Sequence, residues 1–419
     1  MKNINPILKE VLERINPSKE EIEFIENKLN KFLENLNSRI KKLKLDLQVF
    51  VGGSFAKNTL IKKGKYDIDI FLRFNESGDL SVLTKKILKG IKGVEEVHGS
   101  RDYFRVNISD NLFFEIVPVK KVANPRESDN ITDLSYSHVN YVRKKIKSQK
   151  ILDEIKIAKA FCHAHGCYGA ESYVRGFSGY GLELLIYYYG SFEKFLKAIV
   201  KIKDKEVIDL EKLHKNKSFV LMDLNSAKLQ APIVLIDPTF KNRNVLAALS
   251  VETFRNFQKV CERFLKNPSV KLFEIQKLDL EKIKRDAEKK RYEFILLYAK
   301  TNKQEGDIAG SKLLKFYNFL TRELEEFFEI KKRGFGYDDA QNAQYFFVLK
   351  NRKEIILEGP SVKDKKNVER FKKGKKTFVK KGKIYSKKKI NFSAREFIAL
   401  WKNSNKKLMK DMSILSLRF

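Results

Sequence analysis

Stretches of helical and strand-like patterning follow one another along this chain in an order that outlines its domains. Asn5-Pro6 and Asn16-Pro17 each set a capping residue before a proline suited to a first helical turn, predicting helices over about 5–14 and 17–42. An apolar run over Leu45–Val51 predicts a strand. It is followed by a short helix at about 54–61, a strand across Tyr66–Phe74, a helix near 80–91, and strands near 102–108 and 111–119. These elements form a small mixed α/β unit ending near residue 150.

From about 135 to 200 the pattern is helical, and Ser178 is placed to cap a helix opening at Gly179. Short strands are expected at 218–222 and 232–236 and a long helix at about 244–265, with Asn267-Pro268-Ser269 marking a boundary. The last third alternates again: a helix near 279–290, a strand over Tyr292–Tyr298, a polar linker over 302–310, and a helix to about 328. Strands at 343–349 and 353–358 and a final helix near 393–411 complete it. The expected fold is therefore α+β and multidomain, divided as 1–150, 151–268 and 269–419, with no internal repeat of fixed period.

The richest chemistry lies in Gly53-Ser54 followed by Tyr66-Asp67-Ile68-Asp69-Ile70. Residues two apart on a strand share a face, so both carboxylates point one way while Ile68 and Ile70 point into a core. Like charges held side by side repel, and a divalent cation between them removes the conflict. The Gly-Ser turn opens an expected helix whose first N–H groups can receive a phosphate. Glu115, the one charge in the apolar strand Leu112–Val119, supplies a third carboxylate; Asp110, in a turn-like Ser-Asp-Asn setting, is a substitute for it. A metal pair beside a phosphate cradle points to nucleotidyl transfer.

Charge narrows the partner. Lys and Arg number 86 against 53 Asp and Glu, a net +33, which exceeds what solubility needs and points to a polyanion. Fourteen of those bases crowd residues 362–390, interleaved with Phe371, Phe378 and Tyr385, and suit phosphate-backbone contact. No apolar stretch approaches a membrane span or a signal peptide, so a cytoplasmic protein without a membrane partner is expected. Three cysteines, Cys162, Cys167 and Cys261, make no disulfide framework. Cys162-His163-Ala164-His165-Gly166-Cys167 has the look of a zinc site, yet it lies at a helix end where successive residues diverge by roughly 100°, so core packing is expected instead.

Ser54-x-x-Lys57-x-Thr59, then Asp67-Ile68-Asp69, then a carboxylate in a buried strand, resembles the polymerase-beta-type nucleotidyltransferases. Within that superfamily the chain resembles the archaeal, class I CCA-adding tRNA nucleotidyltransferases. The resemblance rests further on Tyr168-Gly169-Ala170-Glu171, on Arg175-Gly176-Phe177-Ser178-Gly179-Tyr180, on Asp237-Pro238 leading to Arg243-Asn244-Val245, and on Gly359-Pro360-Ser361 leading to Asn367-Val368-Glu369-Arg370-Phe371. It covers nearly the whole chain in order.

The resemblance implies a polymerase-beta-like N-terminal domain, a helical nucleotide-binding domain and a C-terminal tRNA-binding domain. It implies that Asp67, Asp69 and Glu115 hold two Mg2+ ions, although the family commonly has Asp where Glu115 stands. Ser54 and Lys57 fall at the phosphate-contacting positions, where the family usually has Arg rather than Lys. Ser135, His138, Lys159 and Tyr168 fall where the family binds the nucleotide; alone they read as ordinary residues, Lys159 as a surface lysine. Arg243 corresponds to the arginine that reads the incoming base, whose donors suit the acceptor edges of cytosine and adenine. The implied activity is template-independent addition and repair of the tRNA 3′-terminal CCA from CTP and ATP with release of pyrophosphate, by an enzyme of a family that often forms homodimers. The rival readings are a poly(A) polymerase or oligoadenylate synthetase of the same superfamily, and a non-catalytic RNA-binding protein on the same fold.

Overall fold

Ser18, rather than Asn16, starts the long second helix. Helices α1 (Asn5–Ile15) and α2 (Lys19–Lys42) lie close to their expected positions, but Ser18 accepts from the Glu21 N–H while the Glu21 carboxylate accepts from the Ser18 N–H. That reciprocal box satisfies two donors at once and leaves Pro17 outside the helix. In α1 the cap position is Ile4, and Asn5 and Pro6 are already helical. The computed structural model describes residues 4–62, 64–75, 78–99, 101–275 and 278–419, which group into two compact units, Met1–Gln276 and Lys277–Phe419.

In the first unit come β1 (Leu47–Val51), the one-turn helix α3 (Gly53–Ala56), β2 (Tyr66–Phe74), α4 (Leu80–Leu88), β3 (Val94–Val97), β4 (Tyr103–Ser109) and β5 (Leu112–Lys120). The strands form one sheet in the order β1-β2-β5-β4-β3, in which β2 runs parallel to β5 and the other pairs are antiparallel. Ile68, Ile70 and Leu72 of β2 are buried against Ile25, Leu29 and Leu36 of α2 and Ile87 of α4. That leaves the odd-numbered side chains of β2 on the opposite face. The helix expected over 54–61 stops after one turn. Asn58 takes a left-handed φ of 55° and the chain then runs extended, burying Thr59 and Leu60. Strand β3, too short and polar for its alternation to stand out, was not anticipated.

A helical layer follows: α5 (Ser135–Lys145), α6 (Gln149–Ala164), α7 (Gly179–Tyr189), α8 (Phe192–Lys201), β6 (Glu206–Ile208), α9 (Lys217–Asp223), β7 (Ile233–Asp237), β8 (Phe240–Asn244) and α10 (Val251–Lys266). As expected, Ser178 caps α7, accepting from the Gly181 N–H. Two expectations fail here. Residues 218–222 are helical, because the Asn216 side chain accepts from the N–H groups of Ser218 and Phe219 and nucleates a turn. The helix expected from 244 begins at Val251 behind the cap Ser250, and Arg243 lies on strand β8. The core is aromatic, with Phe161, Phe177, Phe192, Phe195, Phe257 and Phe264 all buried in edge-to-face and tilted contacts such as Phe177–Phe257 at 4.9 Å. Ile4, the cap of α1, and Leu8 within it belong to the same core, as do the flanking Leu272 and Phe273 beyond the Asn267–Ser269 segment.

The second unit holds α11 (Leu280–Lys289), β9 (Glu293–Thr301), α12 (Asp307–Phe327), β10 (Phe328–Tyr337), β11 (Asn342–Asn351), β12 (Glu354–Ser361), α13 (Lys365–Lys372), β13 (Thr377–Lys380), β14 (Lys383–Lys389), α14 (Ala394–Ser404), α15 (Lys406–Asp411) and β15 (Ile414–Arg418). A sheet in the order β10-β11-β9-β15 buries Leu297, Tyr345 and Phe347 against Phe316, Leu320 and Leu324 of α12. The basic stretch folds as a second sheet, β12-β14-β13, with α13 against β12. The final helix expected over 393–411 is two helices meeting at Asn405, and β10 and β15 were not anticipated. No described helix is long and apolar enough to cross a membrane.

Candidate active site

On the face of the first sheet turned away from α2 and α4, Asp69 lies directly opposite Glu115 across the parallel β2–β5 pair, and Asp67 lies two residues before it on β2. The alternation that buries Ile68 and Ile70 on one strand, and Phe114 and Ile116 on the other, forces these three carboxylates to one side. The turn between β1 and β2 closes over them. Gly53 has a φ of +61°, and a Cβ there would sit 1.7 Å from Asp69 Oδ2, so only glycine lets the backbone approach this carboxylate. Gly52 N–H donates to the Asp69 carbonyl at 2.9 Å. Ser54 therefore stands next to the acidic face.

Glu115 is also touched from β4, where Arg105 Nη2 lies 3.3 Å from its Oε1. The negative field is felt by Tyr103, whose phenol is pushed up to about 12 by burial and then by Glu115, with Asp69 adding to it. Among the described residues, the set of acidic and imidazole groups whose ligand atoms all lie within 4.8 Å of one another is Glu96, His98 and Asp102, beside outer strand β3. The predicted trio is held in a wider arrangement than that, on neighbouring strands. Its donor set still fits a hard divalent cation: all-oxygen, anionic, and cradled by a glycine that excludes a side chain. Asp110, the alternative third ligand, lies in the β4–β5 turn, lining a separate cavity of about 460 Å³ with Glu21, Lys62 and Tyr66.

Lys57 and Lys159 meet on one residue that sequence reasoning passed over. Glu183 of α7, fully buried, receives Lys57 Nζ at 2.7 Å on Oε2 and Lys159 Nζ at 2.9 Å on Oε1. Thr59 Oγ1 lies 3.1 Å from Glu183 Oε1 and accepts from Lys159 Nζ at 2.7 Å. Burial alone would raise the Glu183 carboxyl, but the two ammonium groups outweigh it and hold it at about 2. Lys159, which by itself reads as a surface lysine, is only 2% exposed. A lone carboxylate amid Leu182, Leu184, Leu185 and Ile186 was the available signal for Glu183.

A second cluster gathers the base-reading candidates. Asp237, at the end of β7, is fully buried; its Oδ2 lies 2.7 Å from Arg243 Nη1 and 2.9 Å from His138 Nε2, and its Oδ1 lies 3.3 Å from the Tyr180 hydroxyl. The His138 ring stacks on Tyr180 with centroids 4.3 Å apart. Although burial opposes ionisation, hydrogen bonds and charge from His138 and Arg243 hold the Asp237 carboxyl well below the usual carboxylate range. Burial dominates at His138 and lowers its imidazole despite Asp237. Ser135 begins the same helix, α5.

Tyr168 is half-buried with its ring 4.0 Å from that of His163, and its hydroxyl lies where a Gly179 Cβ would be 2.8 Å away. Burial raises its phenol, and the Glu183 and Asp67 carboxylates raise it further. In the Cys-His run, Cys162 and Cys167 are buried in the aromatic core, whereas His163 lies against Tyr168 and His165 against Phe161.

Two family models match the chain: a nucleotidyltransferase domain over residues 29–156 and the second domain of tRNA nucleotidyltransferase over 153–274. The chain is 33% identical over 344 residues to a CCA-adding enzyme of Nanoarchaeum equitans, covering 80% of this chain and 81% of the relative. It is 31% identical over 402 residues to a CCA-adding enzyme of Methanocaldococcus jannaschii, covering 91% and 87%. A cytoplasmic RNA terminal U-transferase shares the fold over 66% of this chain and 100% of its own, with a TM-score of 0.51 at 14% identity.

Proposed function

This chain belongs to the family of CCA-adding enzymes, and from that premise we propose how its own residues extend the 3′ end of tRNA with CTP and ATP, releasing pyrophosphate. The observation that carries the assignment is the pairing of Asp69 with Glu115 beneath the close-packed Gly53. In this reading Asp67, Asp69 and Glu115 hold two Mg2+ ions. Magnesium held there supplies positive charge beside the attacking 3′-hydroxyl and the leaving pyrophosphate. Ser54 and Lys57 orient the triphosphate, with Tyr168 beside them, while Lys159, held on Glu183, adds its positive charge to the same pocket.

Arg243 and His138 face the base. Asp237 fixes the guanidinium through one oxygen while leaving its remaining N–H groups for the acceptor edge of cytosine or adenine. His138, stacked on Tyr180, closes that wall. Residues 1–150 form the catalytic part, 151–268 the nucleotide-binding part and 269–419 the tRNA-binding part, the last using shape and phosphate contacts. A homodimer and a cytoplasmic setting, where tRNA and nucleoside triphosphates coexist, belong to the same reading.

Incubation of the protein with tRNA trimmed to its discriminator base, a magnesium salt and each nucleotide in turn tests this. CTP alone should add two residues, and ATP should add one more only after them. A long tract grown from ATP alone would favour a poly(A)-polymerase activity, and no extension by any nucleotide would overturn the assignment.

A further inference from the structure

Glu183 has no part in the steps above, yet it sits between two of the residues that carry them. We infer that Glu183 is a positioning residue that sets Lys57 in the geometry needed to grip the nucleotide triphosphate, with Lys159 as its fixed counter-charge; this rests on the assignment of Lys57 to the triphosphate.

The two lysines are unequal. Lys159 Nζ directs its donors to Thr59 Oγ1 at 2.7 Å, Glu183 Oε1 at 2.9 Å and the Thr59 carbonyl at 3.4 Å, so it is committed to the protein. Among the described residues Lys57 Nζ donates to Glu183 alone, at 2.7 Å, which leaves two of its three N–H groups for a ligand. Lys57 follows one-turn α3 and precedes the left-handed Asn58, so its backbone lies in a tight turn and its side chain is pinned from α7. Two ammonium groups against one carboxylate leave an excess of positive charge in a buried setting, which a phosphate would balance. An apolar side chain would serve packing at 183 better, since Leu182, Leu184, Leu185 and Ile186 around it are fully buried. A carboxylate there makes sense as a holder of cations.

The test is steady-state kinetics with CTP and with ATP, together with calorimetric binding of inorganic tripolyphosphate, on the full-length wild-type, Glu183→Gln and Glu183→Asp proteins. An amide must present its NH2 group to one of the two ammoniums and so releases one lysine. Glu183→Gln should raise KM for both nucleotides by the same factor, tenfold or more, with kcat changed less than threefold, and weaken tripolyphosphate binding in parallel. Glu183→Asp, which keeps the charge at shorter reach, should fall between and carries the test if the amide variant does not fold. A KM unchanged while activity falls with the folded fraction would make Glu183 merely structural and overturn the inference. So would a lowered KM, which would mean that the carboxylate competes with phosphate. Failure of the wild-type chain to bind tripolyphosphate would overturn the triphosphate assignment itself, and the role of Glu183 with it.

Discussion

Asp69 and Glu115 face each other in register across two parallel strands, with Phe113 opposite Asp67 one pleat away. Parallel pairing of this kind joins residues 46 positions apart, so the acidic face is a property of the sheet and not of either strand. It also means that a carboxylate on β5 is aligned with β2 by backbone hydrogen bonds, and the longer Glu side chain is held at its base even though its tip reaches Arg105.

Removing one of these charges should abolish chemistry while sparing the fold. Asp67→Ala and Asp69→Asn are each expected to reduce nucleotide incorporation by at least about a thousandfold, since electrostatic stabilisation at the reacting phosphate is a large part of such catalysis. Thermal unfolding should stay unchanged or rise slightly, because like charges side by side repel. Incorporation persisting at the wild-type rate would exclude this face from catalysis.

Gly53→Ala offers an independent probe that adds only a methyl group. That methyl meets Asp69 Oδ2 at 1.7 Å and demands a left-handed backbone costing an L-residue roughly 1–2 kcal/mol. The turn must lift away from the acidic face. We expect kcat to fall at least about tenfold, with the loss in unfolding free energy confined to about 1–3 kcal/mol. Full activity in this variant would separate the turn from the reaction.

The Glu183 cluster predicts a particular acid sensitivity. Its carboxyl is held at about 2 against an ordinary value of 4.5, so the folded state binds its proton less readily than the unfolded chain. The stabilisation is therefore fully present above about pH 4.5 and is lost as pH falls towards 2, amounting to on the order of 3 kcal/mol. Denaturant titrations from pH 6 to pH 2 should show this slope in the wild-type protein and a flatter one in Glu183→Gln. Parallel slopes would place the charge linkage elsewhere.

Asp237 is expected to govern which bases are accepted. Asp237→Asn removes the charge that fixes Arg243 and the His138 ring, and leaves a half-buried guanidinium without its carboxylate, costing roughly 1–3 kcal/mol of stability. Among molecules that remain folded, competition assays should find misincorporation of UTP and GTP increased by about tenfold or more relative to CTP and ATP, a preference worth some 1.4 kcal/mol. Unaltered nucleotide preference would show that Arg243 is positioned without its carboxylate.

The parts of this site legible in the sequence are those fixed by local pattern. Strand β2 was readable at Tyr66–Phe74 because Asp-Ile-Asp-Ile alternates within one strand, and the α7 cap because Ser178 acts on a residue three positions away. Lys159 was not readable as buried, because what permits its burial is Glu183, 24 residues later, and Thr59, 100 residues earlier. Nor was the state of residues 218–222, where a short apolar run suits strand or helix equally and the Asn216 cap decides. Arg243, tied to the incoming base by resemblance, precedes a helix expected from 244; it stands on a strand whose hairpin with β7 carries it to Asp237. Long-range charge pairing accounts for Lys159 and Glu183, and a local cap for residues 218–222.

The basic second unit makes the last prediction, for the tRNA itself. Lys372, Lys373, Lys375, Lys376, Lys380 and Lys381 are exposed between α13 and β14, and Lys375 lies over the Phe371 ring at 4.5 Å, which fixes one cation of the group. Contacts with phosphate release condensed counterions, so affinity should fall linearly on a log–log plot against salt concentration. Each of Lys373→Ala, Lys376→Ala and Lys381→Ala should reduce that slope by about one if the lysine meets a phosphate, while weakening all tRNAs alike and leaving the choice between CTP and ATP unchanged. Filter binding of several tRNAs between 50 and 300 mM salt measures both quantities. A slope insensitive to all three substitutions would mean that this stretch is a solvated surface, and that the excess charge meets RNA elsewhere on the chain.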